Sequence, residues 1–492
     1  MKTVVILGGG YTGTTAAINL SRLSPHPLTI IVVEPRKDVG AGVAYSSRHP
    51  DHRLNAPSSL HFVIPDERAA LDDWFLQTVG LECDPEARAI DGSLFIRRSD
   101  FGDFVSAQFK RHAIENPSGS TLTHVRDSAI DVKQHGKSFL IKMVSGSILR
   151  ADSILITTSN YKPSIPFPFT GKLETHPALV PNPWDVDSLE ALPNNARGLI
   201  IGNGLTAADV VTLLKRKGHT GVVTALSRRG LQPTVRPRSH AGFEQHILDR
   251  VAARPSLFTK KHGRLRTVLE IFRAIRSDVK KAEASGLPWQ SAFDDLRDSA
   301  RDVWVHLPIE EKRRYMRHAG PYYDIHRYRF SPQTNEQLIA AKAQGWFKQQ
   351  RGKLTAARSD CRRIIVEWQD ETNGEAYRDT LDFVVICVGP ETRPEKTSNP
   401  LLHSLIKRGI AKTSDLGVGL ATDKFSRAIG HDSMPVNNAF VLGPLAFASF
   451  GYCLGVPFIM PQIRQAIPFI LSDLGARTNI CKRETDILIN EF

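Results

Sequence analysis

Two glycine-rich stretches combine residue types and spacings that can hold a dinucleotide. The first reads Gly8-Gly9-Gly10-Tyr11-Thr12-Gly13. In such a turn Gly8 permits the tight bend, Gly10 lets the backbone approach a pyrophosphate, and Gly13 lets a helix pack close to a strand. Tyr11 and Thr12 lie within the turn as candidate cofactor contacts, and the helix that follows offers free N–H groups and a positive dipole end to phosphate oxygens. Glu34 stands 21 residues beyond Gly13. A carboxylate there accepts hydrogen bonds from ribose hydroxyls and repels a 2′-phosphate, so the expected ligand is adenosine without that phosphate, as in FAD or NAD.

The second stretch, Gly202-Asn203-Gly204-Leu205-Thr206-Ala207, repeats the pattern with Ala as the third small residue. Ser227 lies 20 residues past Ala207, and Ser227-Arg228-Arg229-Gly230 replaces the acid of the first stretch. Guanidinium groups there pair with a 2′-phosphate through charge-assisted bonds, which predicts NADPH over NADH. Two arginines on a solvated turn are the alternative reading.

These residues need strand, turn and helix to position them. Thr3 to Leu7 is an apolar, β-branched run, Thr14 to Leu23 has helical apolar spacing, and Leu28 to Val33 is a second strand ending at Glu34. Ala196 to Ile201, the helix through Asp209, Val211 and Leu214, and the strand Val222 to Leu226 repeat that order. A lone glycine motif is weak evidence, but here strand, spacing, helix and terminal residue agree. Two nucleotide sites predict a bound flavin that receives hydride from a nicotinamide, with FAD first.

The net charge of +13 raises the question of nucleic acid. Between Arg228 and Phe330 there are 22 Lys/Arg against 12 Asp/Glu, so most of the excess sits in one segment. No nucleic-acid signature accompanies it, and a phosphorylated cofactor or anionic substrate explains the charge equally well. The five cysteines form no Cys-x-x-Cys, which argues against a disulfide framework, a metal site and a dithiol redox centre. The first apolar run is too short for a signal peptide and no apolar run reaches 18 residues. A cytoplasmic protein without membrane or nucleic-acid partners is expected.

Further blocks carry a resemblance. They are Gly40-Ala41-Gly42-Val43-Ala44-Tyr45, Leu54-Asn55-Ala56-Pro57, Asn182-Pro183-Trp184-Asp185, the second glycine stretch with Asp209, Ser227 to Gly230, Asp324-x-His326-Arg327-x-Arg329, and Gly443-Pro444-Leu445. In this order they resemble the FAD/NAD(P)-binding protein family typified by YdhS, similar in layout to N-hydroxylating and other flavin monooxygenases. The resemblance implies flavin contact for Gly42 and Tyr45, and a late helix near Pro461 to Ile467 aimed at the isoalloxazine. Two departures imply a substrate unlike that of typical members. Thr158-Ser159 replaces a Thr-Gly strand end, and Ala446 to Val456 lacks a Trp-Glu.

The fold class read from these signals is α/β, with two Rossmann-like dinucleotide-binding domains and a helical insertion. The expected boundaries are 1–195 and 381–492 for the FAD-binding domain and 196–380 for the NADPH-binding domain, with the insertion at about 236–345. Strand signals recur at Ile154 to Thr157, Ile364 to Trp368, Phe383 to Val388 and Phe440 to Leu442; Gly389 and Gly443-Pro444 follow the last two as candidate cofactor contacts. Arg264 to Ile275, Phe293 to Trp304 and Glu310 to Ala319 read as amphipathic helices. Candidate catalytic residues are Asn55, which could serve flavin or substrate or simply a turn, and His326 with Arg327, which suit a planar or anionic substrate or a polar hinge. Ser449 is a further expected pocket residue.

The absence of Cys-x-x-Cys argues against a disulfide reductase. A monooxygenase acting through a C4a-(hydro)peroxyflavin on a small molecule, an electron-transferring reductase and a non-catalytic flavin-binding protein remain. The first is favoured, with amine N-hydroxylation or heterocycle hydroxylation as substrate classes and O₂ as co-substrate. His176, in the linker between the glycine stretches, lacks the glycine context of a Baeyer-Villiger fingerprint.

Overall fold

Runs of β-branched residues punctuated by glycine turns build two open, mostly parallel sheets. The computed structural model describes residues 1–158, 162–237 and 247–475; Ser159, Asn160 and Cys481 lie outside them. The first sheet has six strands in the order Arg427–Ile429, Pro435–Val441, Ser153–Ile156, Lys2–Leu7, Leu28–Val33 and Thr121–Val125. All pairs are parallel except that of the outermost Arg427–Ile429. Alternate residues of the first strand feed different cores, as the period of two requires. Val4 and Ile6 pack with the helices Tyr11–Leu23, Arg98–Ile114 and Val456–Asp473. Val5 and Leu7 face an antiparallel meander, Ala129–His135, Ser138–Met143 and Ile148–Ala151, together with the helix Pro400–Lys407. Both faces are covered, which is why these strands read as unbroken apolar runs.

The second sheet has seven strands in the order Ala376–Leu381, Arg363–Asp370, Phe347–Asp360, Val223–Ser227, Gly198–Ile201, Phe383–Ile386 and Leu179–Val180. The first three form an antiparallel meander and the rest run parallel. The sheet extends past the expected limits 196–380 at both ends, because Leu179–Val180 and Phe383–Ile386 complete its parallel half. Gly389 therefore follows a strand of this second sheet.

Thr234–Val235 pairs with Arg329–Phe330 and forms a neck from which the helical insertion projects. Pro332–Ala343, expected within the insertion, instead packs on the helix Leu205–Arg216 as part of the second core. The insertion holds the helices Val268–Ala284, Trp289–His306, Ile309–Arg314 and Gly320–Arg327, with one wider turn at Tyr315–Ala319. The first of these starts four residues later than expected, at a capping box formed by Thr267 and Glu270. No helix among the described residues is long and apolar enough to cross a membrane.

Candidate functional site

The first glycine turn is tied on every side. Gly8 has φ +114°, and a Cβ there would meet the Thr158 backbone at 3.0 Å. A Cβ on Gly13 would stand 2.0 Å from Gly8 O and 2.7 Å from Thr157 Oγ1, so this glycine is required by helix-to-strand packing. Gly10 faces Gly42 (φ +54°), and a methyl on either would close the gap between the two loops. The helix Tyr11–Leu23 begins at Gly10 without a side-chain cap. Its first N–H groups are thus left for an incoming anion.

Glu34 is buried at the strand end, where Gly9 N donates to its Oε2 (3.0 Å) and Arg36 Nη1 donates to its Oε1 (2.8 Å). Arg36, which the glycine-turn pattern does not predict, carries a charge that offsets part of the repulsion Glu34 would exert on a phosphate. Arg36 N also donates to Oε1 (3.2 Å), and a carboxylate has about four acceptor sites, so one remains for a ribose hydroxyl beyond these three bonds. A cavity of about 860 Å³ is lined by Glu34 and Arg36, by Gly8, Gly10 and Thr12, and by Tyr45, Pro444, Leu454, Gly455 and Ile459. Asp127 to Ile130, Lys162 and Ser398 to Leu401 complete its walls. They come from segments hundreds of residues apart, which local sequence patterns cannot join.

Aromatic packing fixes one wall. Tyr11 Oη donates to Phe62 O (2.8 Å), its ring meets Tyr45 edge-on at 6.4 Å, and Tyr45 in turn lies 4.7 Å from Phe101. Burial raises both phenol pKa values, that of Tyr45 to about 12, so both act as neutral groups. Gly443, with φ +79°, approaches Thr12 so closely that a Cβ would lie 2.9 Å from Thr12 Oγ1. Gly443 N donates to the buried Gln462 Oε1 (2.8 Å). The last helix, Val456–Asp473, starts at Gly455 without a side-chain cap, and Leu454 and Gly455 stand in the cavity wall. This is the helix expected near Pro461 to Ile467, longer than the sequence suggested because Pro461 and Pro468 are accommodated within it. Its N-terminus places positive dipole at the cavity wall.

The second turn differs in a telling way. Gly202 has φ +119°, and a Cβ there would sit 2.3 Å from Cys387 O, so packing requires it. Gly204 has nothing within 4 Å of a would-be Cβ, and Leu205 and Thr206 open an uncapped helix behind it. Ser227 Oγ is buried without a hydrogen-bond partner among the described residues. Arg228 is exposed and Arg229 half-buried. Arg351 joins them from the neighbouring strand, where it is the register partner of Ser227, and its Cβ lies 3.0 Å from a would-be Cβ on Gly230. No carboxylate among the described residues pairs with Arg228, Arg229 or Arg351.

The two units are pinned together. Arg98 makes a buried bidentate pair with Asp209 (2.7 and 2.9 Å) and stacks 5.6 Å from Trp184. His52 Nε2 donates to Asp209 O (3.2 Å) and accepts from Ser47 Oγ at Nδ1 (2.5 Å). Arg216 reaches Asp51 from the second unit (2.5 and 2.7 Å).

The remaining candidates are scattered. Asn55 is half-buried with no hydrogen bond among the described residues, next to Ala56, which packs with Phe458 of the last helix. His326 lies in the insertion, its Nδ1 on Tyr322 O (2.6 Å) and its ring against Trp289 and Phe293, outside the cavity wall. Arg327 points the other way and donates from Nη2 to Leu454 O (2.8 Å). Ser449 is engaged with the Thr422 backbone, and His176 with Cys361 O and Ala178 N.

Residues 5–161 match the family model described as FAD-NAD(P)-binding. No curated protein matches the sequence. Among solved structures the chain is similar to the ornithine N-hydroxylase of Kutzneria sp. 744 with reduced FAD, NADP+ and L-ornithine, at 13% identity over 96% of this chain and 99% of that one, TM-score 0.62. It is similar to the reduced ornithine hydroxylase of Pseudomonas aeruginosa (14% identity, 96% and 99%, TM-score 0.58). L-lysine 6-monooxygenase from Pseudomonas syringae gives 15% identity, 96% and 99%, and a TM-score of 0.57. The chain thus carries an FAD-NAD(P)-binding segment at residues 5–161 within a fold it shares, over nearly its whole length, with these hydroxylases.

Proposed function

We propose that the protein is an FAD-dependent, NADPH-using monooxygenase of a small molecule, with an amine as the first substrate class to test. The observation that carries this reading is the asymmetry of the two turns. One ends at a buried carboxylate on a large cavity, and the other at three arginines with no carboxylate partner among the described residues. The first suits the phosphate-free ribose of FAD and the second the 2′-phosphate of NADPH. The fold similarity to ornithine and lysine hydroxylases supports the choice of monooxygenase and of an amine. The narrower YdhS-type assignment rests on the sequence blocks alone.

In this reading the flavin supplies hydride acceptance and oxygen activation, while the protein binds, orients and excludes water. Glu34 and the N-terminus of the helix Tyr11–Leu23 hold the adenosine and pyrophosphate. Tyr45, Pro444 and the head of the last helix, which line the same cavity, would border the ring. Asn55, half-buried and without a hydrogen bond among the described residues, is the candidate to meet nicotinamide or substrate.

The test is oxygen consumption by the purified yellow protein with NADPH, with and without a panel of diamines and basic amino acids, while hydroxylated product and peroxide are measured. Oxygen uptake coupled to hydroxylated product is the expected result. Rapid dye or quinone reduction with no product would reassign the protein to a reductase, and a protein that binds no FAD would overturn both readings.

A further inference from the structure

The helical insertion grips the segment that leads into the last helix. Trp304 Nε1 donates to Ala448 O (2.9 Å). Tyr452 Oη donates to Asp324 Oδ1 (2.8 Å) and accepts from Tyr315 Oη (2.6 Å). Arg327 Nη2 donates to Leu454 O (2.8 Å), and Leu454 is itself a wall of the large cavity. A residue of the insertion therefore holds the backbone from which the last helix starts.

Arg327 is an unusual anchor. It is 7% exposed, and its Nε and Nη1 are buried without a hydrogen-bond partner among the described residues. No carboxylate there stands within ion-pair distance; Asp324, one turn earlier, gives its Oδ1 to Tyr452 instead. The guanidinium lies among the rings of Tyr452 (4.5 Å), Tyr328 (4.7 Å) and Phe458 (5.0 Å). Aromatic faces offset part of the cost of burying a cation but do not cancel its charge. Arg keeps its proton in any such setting. In a low-dielectric surround the field of that charge persists over the short distance to the cavity wall.

That wall belongs to the cavity that Glu34 also lines, and the head of the last helix would border the flavin ring if FAD binds as proposed above. Hydride from NADPH brings two electrons and one proton, so the neutral oxidised ring becomes an anion and the nicotinamide becomes NADP+. We propose that Arg327 is a positioning residue for the flavin: it fixes Leu454 and Gly455 at the head of the last helix, and its buried charge favours the reduced, anionic ring over the oxidised one. This rests on the FAD reading but not on the identity of the substrate.

The midpoint potential of bound FAD, measured by dye equilibration in the holoenzyme, tests it. Arg327→Met is expected to lower the potential by at least the equivalent of a tenfold loss in preference for reduced flavin, about 30 mV for two electrons, while Arg327→Lys retains most of the wild-type value. Reduced thermal stability or FAD content with an unchanged potential would show a purely structural residue and overturn the proposal. Should Arg327→Met fail to take up FAD, the wild type still decides. The N1 proton of its reduced flavin, followed by absorbance, must titrate below the value for free reduced flavin, and titration at or above that value overturns the claim. A wild type that binds no FAD fails both this proposal and the function above, whereas a yellow wild type with an unmoved potential in Arg327→Met fails only this one.

Discussion

Three arginines stand at the end of the strand Val223–Ser227 with no carboxylate partner among the described residues: Arg228 and Arg229, which follow it, and Arg351, the register partner of Ser227. Like charges gathered without a counter-ion repel one another, and a bound dianion removes that penalty. A charged hydrogen bond contributes about 1.5–3 kcal/mol, so loss of one guanidinium from a 2′-phosphate corresponds to roughly a 10- to 100-fold rise in KM for NADPH. Arg228→Ala and Arg351→Ala are each expected to show that rise with KM for NADH unchanged and thermal stability intact, since both side chains are exposed. Steady-state kinetics with both nucleotides checks it, and a parallel rise for NADH would remove phosphate recognition as the cause.

At the scale of the element, the two glycine turns separate packing from ligand approach. A methyl on Gly13 meets Gly8 O at 2.0 Å, and that carbonyl belongs to a turn locked between strands. Gly13→Ala is therefore expected to destabilise the first unit by about 1–3 kcal/mol through overpacking, and to lower the ratio of flavin to protein absorbance. A methyl on Gly204 meets nothing within 4 Å. Gly204→Ala should change stability by no more than about 1 kcal/mol yet raise KM for NADPH, because the new methyl occupies space a pyrophosphate needs. An unchanged KM would mean that no ligand approaches there. The sequence exposed these turns because strand, glycines, helix and terminal residue fall within a short, local stretch. Arg351 was not legible, since only the parallel register between Val223–Ser227 and Phe347–Asp360 brings it to Ser227. The long strand Phe347–Asp360 itself escaped notice because its half-exposed, Lys- and Arg-rich residues give little apolar alternation. The boundaries of the insertion were blurred for a related reason: helix pattern alone cannot say that Pro332–Ala343 packs on the second sheet's helix. The capping box at Thr267 and Glu270 was a readable start signal.

Across the whole molecule, the seam between the two nucleotide units holds buried charge and neutral histidine side by side. Replacing Arg98 by Met leaves Asp209 buried without its partner, which is expected to destabilise the fold by about 3–5 kcal/mol in denaturant melts. The histidines at and near this seam make the fold sensitive to acid. Burial lowers the pKa of His61, which donates from Nδ1 to Pro57 O, to about 4. Burial, with the charge of His52 next, lowers His49 to about 4, and burial lowers His52 as well. An unfolded histidine titrates near 6.5. Between pH 6.5 and 4 the unfolded chain therefore holds protons that the folded one refuses. The stabilisation from neutral burial is complete above pH 6.5 and is lost as pH falls toward 4, at up to about 1.4 kcal/mol per pH unit for each histidine. Paired carboxylates act lower down. Arg408 and Ser404 hold Asp131 near 2 and Arg393 holds Glu391 near 2, so their contributions survive to about pH 4 and vanish only as pH falls through 2. Stability measured by urea unfolding from pH 8 to 4.5 should be flat at first and decline below about 6.5. His61→Gln, which removes the titrating ring and keeps a donor for Pro57 O, should reduce the slope of that decline by about one proton's worth. A slope that His61→Gln leaves unaltered would show that this ring takes up its proton as easily when folded as when unfolded, and the acid sensitivity would then have to come from the other histidines that burial holds neutral, His49, His52, His112 and His219.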